Sequence, residues 1–174
     1  MEYAVTLEDI SQSEFTERTI QRMFELIEAS RTDHHLQNIA RRIVRNCPHK
    51  DYVCFGERLL GAVKHLVAYV PDPKGIERLQ DPWTTLDIRT ADCDDFVILL
   101  GALGLALNFS IAMMTVKAER DSKTGEIVDR DSHVLLLMQP PGSEKWYGAD
   151  AIVPESSFGW LPPAEYPRKI WEMP

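Results

Sequence analysis

The feature that most constrains the fold is a long apolar segment without a polar face. Residues 96–107 read Phe-Val-Ile-Leu-Leu-Gly-Ala-Leu-Gly-Leu-Ala-Leu and directly follow Asp-Cys-Asp-Asp. A helix that is apolar all round must be covered on every side, and this one is too short to span a bilayer, which takes about 20 residues. We therefore expect a helix at the centre of a domain. Gly101 and Gly104 predict that neighbouring elements approach it closely.

Three amphipathic helices are predicted before this segment. Apolar residues recur at helical spacing after Ser11, after Asp33, and from about Phe55 to Pro71. Their polar faces are not rich in Lys and Arg, so they favour a core-facing position over a membrane surface. The prolines and glycine of 71–90 predict a long ordered loop between the third helix and the buried one.

The chain after the buried helix predicts strands. Phe109–Ala118, Ser132–Met138 and Lys145–Ile152 are β-like runs separated by turn signals. Helices first and strands after them predict an α+β fold, in which a helical N-terminal layer with the central buried helix packs on an antiparallel β-sheet.

The charge balance excludes one class of partner. The 174 residues include 27 acidic and 19 basic side chains, a formal net charge of −8. A protein that holds nucleic acid through its phosphates carries a basic face, and no cluster in the sequence predicts one. We expect no nucleic-acid partner and no membrane partner.

The cysteines predict free thiols and no metal. Three is an odd number, and the N-terminus lacks a signal-peptide pattern, so the expectation is a reducing, cytoplasmic location. Cys47, His49, Cys54 and His65 match no common zinc spacing. The acidic residues around Cys93 lack the spacing of a calcium loop. Neither a metal nor another cofactor is expected.

Cys93, His133 and Asp150 are the residues that could carry chemistry together. A thiol at a helix N-terminus is favoured as thiolate, and nucleophilic catalysis adds a base and a group that orients the base. Taken alone, Cys93 is equally well explained as a small core residue. A serine nucleophile at Ser110 or Ser132 is disfavoured, because neither lies in a strand–turn–helix elbow.

The acidic residues beside the thiol oppose its ionisation. Asp92, Asp94 and Asp95 carry like charge, which raises the pKa of a thiol. We expect Asp94 to stabilise the helix start in contact with solvent, and Asp92 to cap the helix or to pair with Arg89. A thiolate–imidazolium pair with His133 would offset these charges.

Three local patterns together resemble the transglutaminase-like cysteine-hydrolase family. They are Asp92-Cys-Asp-Asp before an aromatic residue and an apolar helix, His133 before Val-Leu-Leu-Leu, and Trp146 four residues before Asp150. The segment Phe158-Gly-Trp is similar to that of the compact bacterial and phage-encoded members.

The resemblance implies a transglutaminase-like, papain-like core and a role for each matching residue. Cys93 would be the nucleophile, His133 the general base and acid, and Asp150 the group that orients the histidine. The backbone N–H of Cys93 would bind the oxyanion, with Gln80 or Trp83 in the preceding loop as the candidate second donor or substrate-binding group.

The resemblance covers about 33–160 and suggests how the chain is organised. It implies an N-terminal helical arm (1–32), a transglutaminase-like catalytic domain (33–160) and a Pro-rich tail packed on that domain (161–174). The sequence departs from the family at Ala91, where the family usually has Gly, and this change removes no reacting atom.

The implied activity is thiol acyl transfer from an amide, with a peptide or protein as substrate. Hydrolysis is the first expectation and transamidation the second. The alternative is a non-catalytic assembly module with a protein partner, for instance in a phage or prophage particle, where it would be virion-associated. Arylamine acetyl transfer would require acetyl-CoA, and a chain of this length leaves little room for a cofactor-binding lid.

Overall fold

The N-terminal half of the chain is mainly helical. The computed structural model describes residues 2–6, 12–73 and 76–174. Ser11, where the first helix was predicted to begin, lies outside the described residues. The elements of this half are β1 (Glu2–Thr6), α1 (Gln12–Ala29), α2 (His34–Ile43), α3 (Tyr52–Leu66), β2 (Ala68–Tyr69), β3 (Ile76–Gln80), α4 (Pro82–Ile88), β4 (Thr90–Ala91) and α5 (Cys93–Ala106).

The C-terminal half forms the main sheet. Its strands are β5 (Ser110–Val116), β6 (His133–Gln139), β7 (Tyr147–Ala149) and β8 (Arg168–Glu172). They are arranged in the order β7-β6-β5-β8, and every neighbouring pair is antiparallel. The predicted α+β fold, with helices packed on an antiparallel sheet, is confirmed.

The apolar segment forms α5, which lies between the helical layer and the sheet. Every residue from Asp94 to Gly104 is buried. A Cβ atom at Gly101 would come within 2.6 Å of Ile27 on α1, and one at Gly104 within 2.7 Å of Met138 on β6. The two glycines therefore let α5 contact a helix on one side and the sheet on the other, as predicted. Within the described residues, no helix combines the length and apolarity needed to cross a bilayer.

Aspartate caps fix where α2 and α3 begin. The Asp33 carboxylate accepts the backbone N–H groups of His35 at 2.8 Å and Leu36 at 3.1 Å, so α2 begins as predicted. Asp51 accepts the N–H of Cys54 at 2.9 Å and starts α3 earlier than the predicted Phe55. The capped helices turn their apolar residues toward α5.

The predicted loop over 71–90 is wrong, because this stretch contains β3, α4 and the first residue of β4. Asp81 accepts the N–H of Thr84 at 2.9 Å and so caps α4. Pro82 occupies the first turn, where a missing N–H breaks no helical hydrogen bond. β3 pairs with β1, and β4 pairs with β2 in parallel. Both β3 and β4 contact α5.

The proline-rich tail ends in a strand that the sequence did not predict. β8 pairs with β5, and the indole N–H of Trp171 donates to Thr115 Oγ1 at 3.0 Å. Upstream, Phe158 stacks on Tyr147 with 5.0 Å between ring centroids. The division into arm, catalytic domain and tail stays a prediction.

The expectation of three free thiols is wrong. Cys47 and Cys54 form a disulfide between the end of the α2 segment and the first turn of α3, with 5.8 Å between their Cα atoms. The Asp51 cap turns the chain back on itself between the two cysteines, which brings them within bonding range. Cys93 takes no part in this disulfide. Because disulfides are uncommon in reducing compartments, the cysteine content no longer supports a cytoplasmic location.

Candidate active site

Cys93 is the first residue of α5, and a capping box holds it there. Asp92 accepts the backbone N–H groups of Asp94 at 3.0 Å and Asp95 at 3.2 Å, and Asp95 Oδ2 accepts the N–H of Asp92 at 3.5 Å. The thiol is half-buried at the positive end of the helix dipole. That position favours the thiolate form.

The three acidic residues around the thiol are buried, contrary to the expectation that Asp94 contacts solvent. Asp92, Asp94 and Asp95 are 6%, 7% and 1% exposed. Asp92 is the N-cap, one of its two predicted roles. Asp95 Oδ1 also accepts the N–H of Gln80 at 2.7 Å, which ties β3 to the start of α5. The carboxylates of Asp92 and Asp95 therefore accept hydrogen bonds that hold the backbone, in the capping box and in the contact with β3.

His133 and Asp150 are in direct contact. His133 is the first residue of β6, and Asp150 follows β7 at the same end of that strand pair. His133 Nε2 lies 2.6 Å from Asp150 Oδ2. A carboxylate can only accept a hydrogen bond, so with Asp150 ionised Nε2 carries the proton of this bond. Nδ1 then remains as the nitrogen that can exchange a proton with another group.

Asp150 is held as a carboxylate in spite of its burial. It is 1% exposed, and its Oδ1 accepts the backbone N–H groups of Ile152 at 2.9 Å and Val153 at 3.2 Å. Burial raises the pKa of Asp150, but the hydrogen bond and charge of His133 and these backbone donors together hold it below the ordinary value. The residue is suited to orienting a histidine.

The structure brings Cys93 into the same site as the His133–Asp150 pair. Cys93 and His133 line one pocket of about 130 Å³. Cys93 and Asp150 also line one narrow crevice that runs between α5 and the sheet. The other residues lining the 130 Å³ pocket are Thr16, Thr19, Ile20, Asp94, Thr115, Asp131, Ser132 and Val134.

Lys64 anchors the loop that follows Asp150, a contact that the sequence analysis missed. From α3, its ammonium donates to the carbonyl of Val153 at 2.8 Å and to the carbonyl and hydroxyl of Ser156 at 2.7 and 2.8 Å. The Ser156 hydroxyl in turn donates to the Asp150 carbonyl at 2.5 Å. Burial lowers the pKa of Lys64, against the opposing charges of Asp150 and Glu155. The sequence feature that could have indicated this contact is the position of Lys64, one helical turn after the buried Leu60 and so on the same face of α3.

Tyr69 is a second residue that the sequence analysis missed. In the parallel β2–β4 pair it lies opposite Ala91, two residues before Cys93. It is 51% exposed. Burial of part of the side chain and the negative charge at Cys93 and its flanking aspartates raise the pKa of Tyr69. Its hydroxyl therefore keeps its proton at neutral pH.

Gln80 and Trp83 lie outside the pocket that Cys93 and His133 line. The single N–H of the Trp83 indole donates to Asp33 Oδ2 at 2.7 Å. The backbone N–H of Gln80 donates to Asp95, and its side-chain oxygen accepts from Thr85 at 3.2 Å. The structure employs these groups in joining α4 and β3 to neighbouring elements.

The competing sites gain no support. The disulfide takes up both cysteines of the zinc alternative. Within the described residues, no three His, Cys, Asp or Glu side chains are grouped so that they could hold a metal ion. The Ser132 hydroxyl accepts the backbone N–H groups of Ala118 and Glu119, both at 3.0 Å, and so supports a loop.

The solved structures that are similar to this chain include two proposed proteases. No family model matches it, and no curated protein matches it. A proposed protease from Parabacteroides distasonis has a TM-score of 0.53 and 9% identity, over 74% of this chain and 25% of that one. A proposed cysteine protease from Cytophaga hutchinsonii has a TM-score of 0.48 and 16% identity, over 79% of this chain and 46% of that one.

The chain spans about a quarter of the first of these proteins and less than half of the second. The likeness to the Parabacteroides protein shows the fold: helices packed on an antiparallel sheet, in the arrangement that part of that proposed protease adopts.

Proposed function

We propose that the chain is a thiol hydrolase that cleaves amide bonds by acyl transfer through Cys93, in the manner of the transglutaminase-like cysteine hydrolases. The observation that carries this proposal is the 2.6 Å contact between His133 and the buried Asp150, beside a pocket that His133 shares with a thiol at a helix N-terminus. The description of the Parabacteroides protein as a proposed protease agrees with this class.

The reaction would proceed in two steps. The Cys93 sulfur attacks the amide carbonyl carbon, the C–N bond breaks, and His133 gives a proton to the leaving amine. Water then attacks the thioester carbon, His133 takes the proton of the water, and the thiolate leaves as the carboxylic acid forms. Asp150 keeps the imidazole in one tautomer through both steps. These steps require no cofactor.

The oxyanion would be bound at the start of α5. The backbone N–H of Cys93 is the first donor, and Tyr69, which lies opposite Ala91 in the β2–β4 pair, joins Gln80 and Trp83 as a candidate for the second. The indole N–H of Trp83 donates to Asp33, so Trp83 would have to give up that bond to serve as the second donor. An amine that attacked the thioester in place of water would give transamidation by the same residues.

The test is the rate at which iodoacetamide alkylates Cys93 as a function of pH, measured from peptide masses. We expect an inflection well below about 8.5, the ordinary thiol value. The Cys47–Cys54 disulfide removes both other cysteines from the reaction unless a reductant is added.

The Cys93→Ala variant is the matched control. It should lose all labelling by an amide-mimicking electrophile, such as a peptidyl chloromethyl ketone, and keep the wild-type thermal midpoint. A silent Cys93, or one that titrates as an ordinary thiol, would overturn the hydrolase proposal and leave the assembly module as the better explanation.

A further inference from the structure

β8 lies at one edge of the main sheet, and among the described strands only β5 pairs with it. An edge strand presents a row of backbone N–H and C=O groups that can pair with the strand of another molecule. At the centre of β8, Ile170 is 54% exposed. It lies opposite Met114, which belongs to a buried apolar cluster of the sheet. The apolar face of the sheet therefore extends to an exposed edge.

The hydrogen bonds to β5 show which backbone groups of β8 face outward. The N–H of Lys117 donates to the carbonyl of Pro167 at 2.9 Å, in register with the β5–β8 pair. In an antiparallel pair, opposed residues that exchange hydrogen bonds alternate with opposed residues that do not. Counting from Pro167, the backbone groups of Lys169 and Trp171 face β5. The residues whose N–H and C=O groups face the open edge are therefore Arg168, Ile170 and Glu172.

The charges of β8 are placed symmetrically about Ile170. Arg168 lies two residues before it and Glu172 two residues after it, so all three side chains are on one face of the sheet. Arg168 Nη2 donates to the carbonyl of Pro163 at 3.0 Å, and a guanidinium has further donors. A two-fold axis through Ile170 would set Arg168 opposite Glu172 of a second copy, and Glu172 opposite Arg168 of that copy. The same axis pairs the outward-facing backbone groups with one another.

We propose that two copies of this chain associate through β8, antiparallel, with Ile170 on the two-fold axis. The sheet then continues through both copies, and each Ile170 covers the other. Isologous two-fold pairing is the commonest arrangement of protein dimers. Other registers lose the charge complementarity, because a shift of two residues sets Arg168 opposite Ile170 and in-register parallel pairing sets Arg168 beside Arg168. The dimer does not depend on the proposed function.

Sedimentation velocity of the full chain over a range of micromolar concentrations tests the dimer. We expect the wild type to convert from monomer to dimer as its concentration rises. Ile170→Lys places two ammonium groups on the axis, so this variant should stay monomeric throughout. A wild type that stays monomeric, a dimer that a non-reducing gel shows to be disulfide-linked through Cys93, or a dimer that persists in Ile170→Lys would overturn the proposal.

Two charge reversals test the register. Arg168→Glu and Glu172→Arg each set like charges opposite one another, so each should raise the dissociation constant of its own dimer at least about tenfold. An equimolar mixture of the two variants sets opposite charges at both positions and should form a heterodimer with nearly wild-type affinity. Lys123→Glu, at an exposed turn, makes the same change in net charge as Arg168→Glu and should dimerise like the wild type. A mixture that stays monomeric, or an equal loss in Lys123→Glu, would contradict the proposed pairing.

Amide hydrogen exchange of the wild type locates the interface without a substitution. Measured residue by residue, the N–H groups of Arg168, Ile170 and Glu172 should exchange slowly in the dimer and rapidly at dilutions where the monomer predominates. The N–H groups of Lys169 and Trp171 face β5 and should be protected equally at both concentrations. Concentration-dependent protection elsewhere, with none at Ile170, would assign the dimer to another surface and overturn the role of β8.

Discussion

Cys93 is held by contacts within one helical turn, whereas His133 and Asp150 are held by contacts between distant segments. The capping box at Cys93 joins residues two or three positions apart. The His133–Asp150 bond joins residues 17 positions apart. The Lys64 ammonium reaches Ser156 across 92 positions. The thiol side of the site, Cys93 with its capping box, is positioned by residues close in sequence. The base side, His133 and Asp150 with the loop held by Lys64, is positioned by contacts between distant segments.

Because of this difference, variants on the two sides should affect different properties: the stability of the protein or the reactivity of Cys93. Changes on the thiol side should act mainly through the stability of the start of α5. Changes on the base side should act mainly through the proton exchange of Cys93, because that side orients the imidazole. Alkylation of Cys93 against pH and the free energy of unfolding are two measurements that report the two effects independently.

The largest effect is expected from His133→Ala. Without the imidazole, the Cys93 inflection should rise toward the ordinary thiol value of about 8.5. At pH 6.5 such a thiol is about 1% thiolate, so alkylation there should be about 100-fold slower than in the wild type. An unchanged profile would show that His133 does not exchange a proton with Cys93.

Asp150→Asn should have the next largest effect, and it carries a pH signature. The pKa of Asp150 lies below its ordinary value, so the unfolded chain binds its proton more readily than the folded one. Its stabilisation, about 2 kcal/mol for a charged hydrogen bond, should be present above pH 4 and be lost as the pH falls through the folded pKa.

Urea unfolding of wild type and Asp150→Asn at pH 7 and pH 3 measures this difference. The gap in the free energy of unfolding should be wide at pH 7 and narrow at pH 3. At pH 7 the alkylation rate of Cys93 should fall at least about tenfold, because Asn favours the wrong imidazole tautomer. A gap that stayed constant with pH would mean that Asp150 acts by packing alone.

Lys64→Met tests whether the base side depends on long-range support. Removing the ammonium frees the loop at Val153 and Ser156, so Asp150 should orient His133 less well. We expect the Cys93 inflection to move upward and the rate at pH 6.5 to fall several-fold. Lys145→Met, an exposed lysine over the Tyr147 ring, should leave the profile unchanged. A profile that moved equally in both variants would remove Lys64 from the site.

Elements with strong local patterns were predictable from sequence. Asp33 and the apolar spacing after it fixed α2, and the unbroken apolar segment indicated the central position of α5. Cys93, His133 and Asp150 were identified from their places at the start of the buried helix and on successive predicted strands, together with the resemblance of the motifs around them to the transglutaminase-like family. The types of these three residues indicated the chemistry, and their positions in the pattern indicated where in the fold they would lie.

Elements that depend on distant partners were not predictable. β3 pairs with β1 at the other end of the N-terminal half, and its own sequence looks like a loop between prolines. Lys64 was missed because two of its partners are backbone carbonyls, which no residue type marks. Two cysteines seven residues apart, within an odd total, gave no local indication of a disulfide.

Asp92 on the thiol side should give the smallest effect, and two variants separate its roles. Asp92→Ala removes the cap and should lower the free energy of unfolding by about 1 kcal/mol. Asp92→Asn keeps a capping oxygen, so stability should change little. It also removes a like charge beside Cys93, so the alkylation inflection should move slightly downward, opposite to every base-side variant. An upward shift in Asp92→Asn would mean that the carboxylate supports the thiolate, and the two sides would then not be independent.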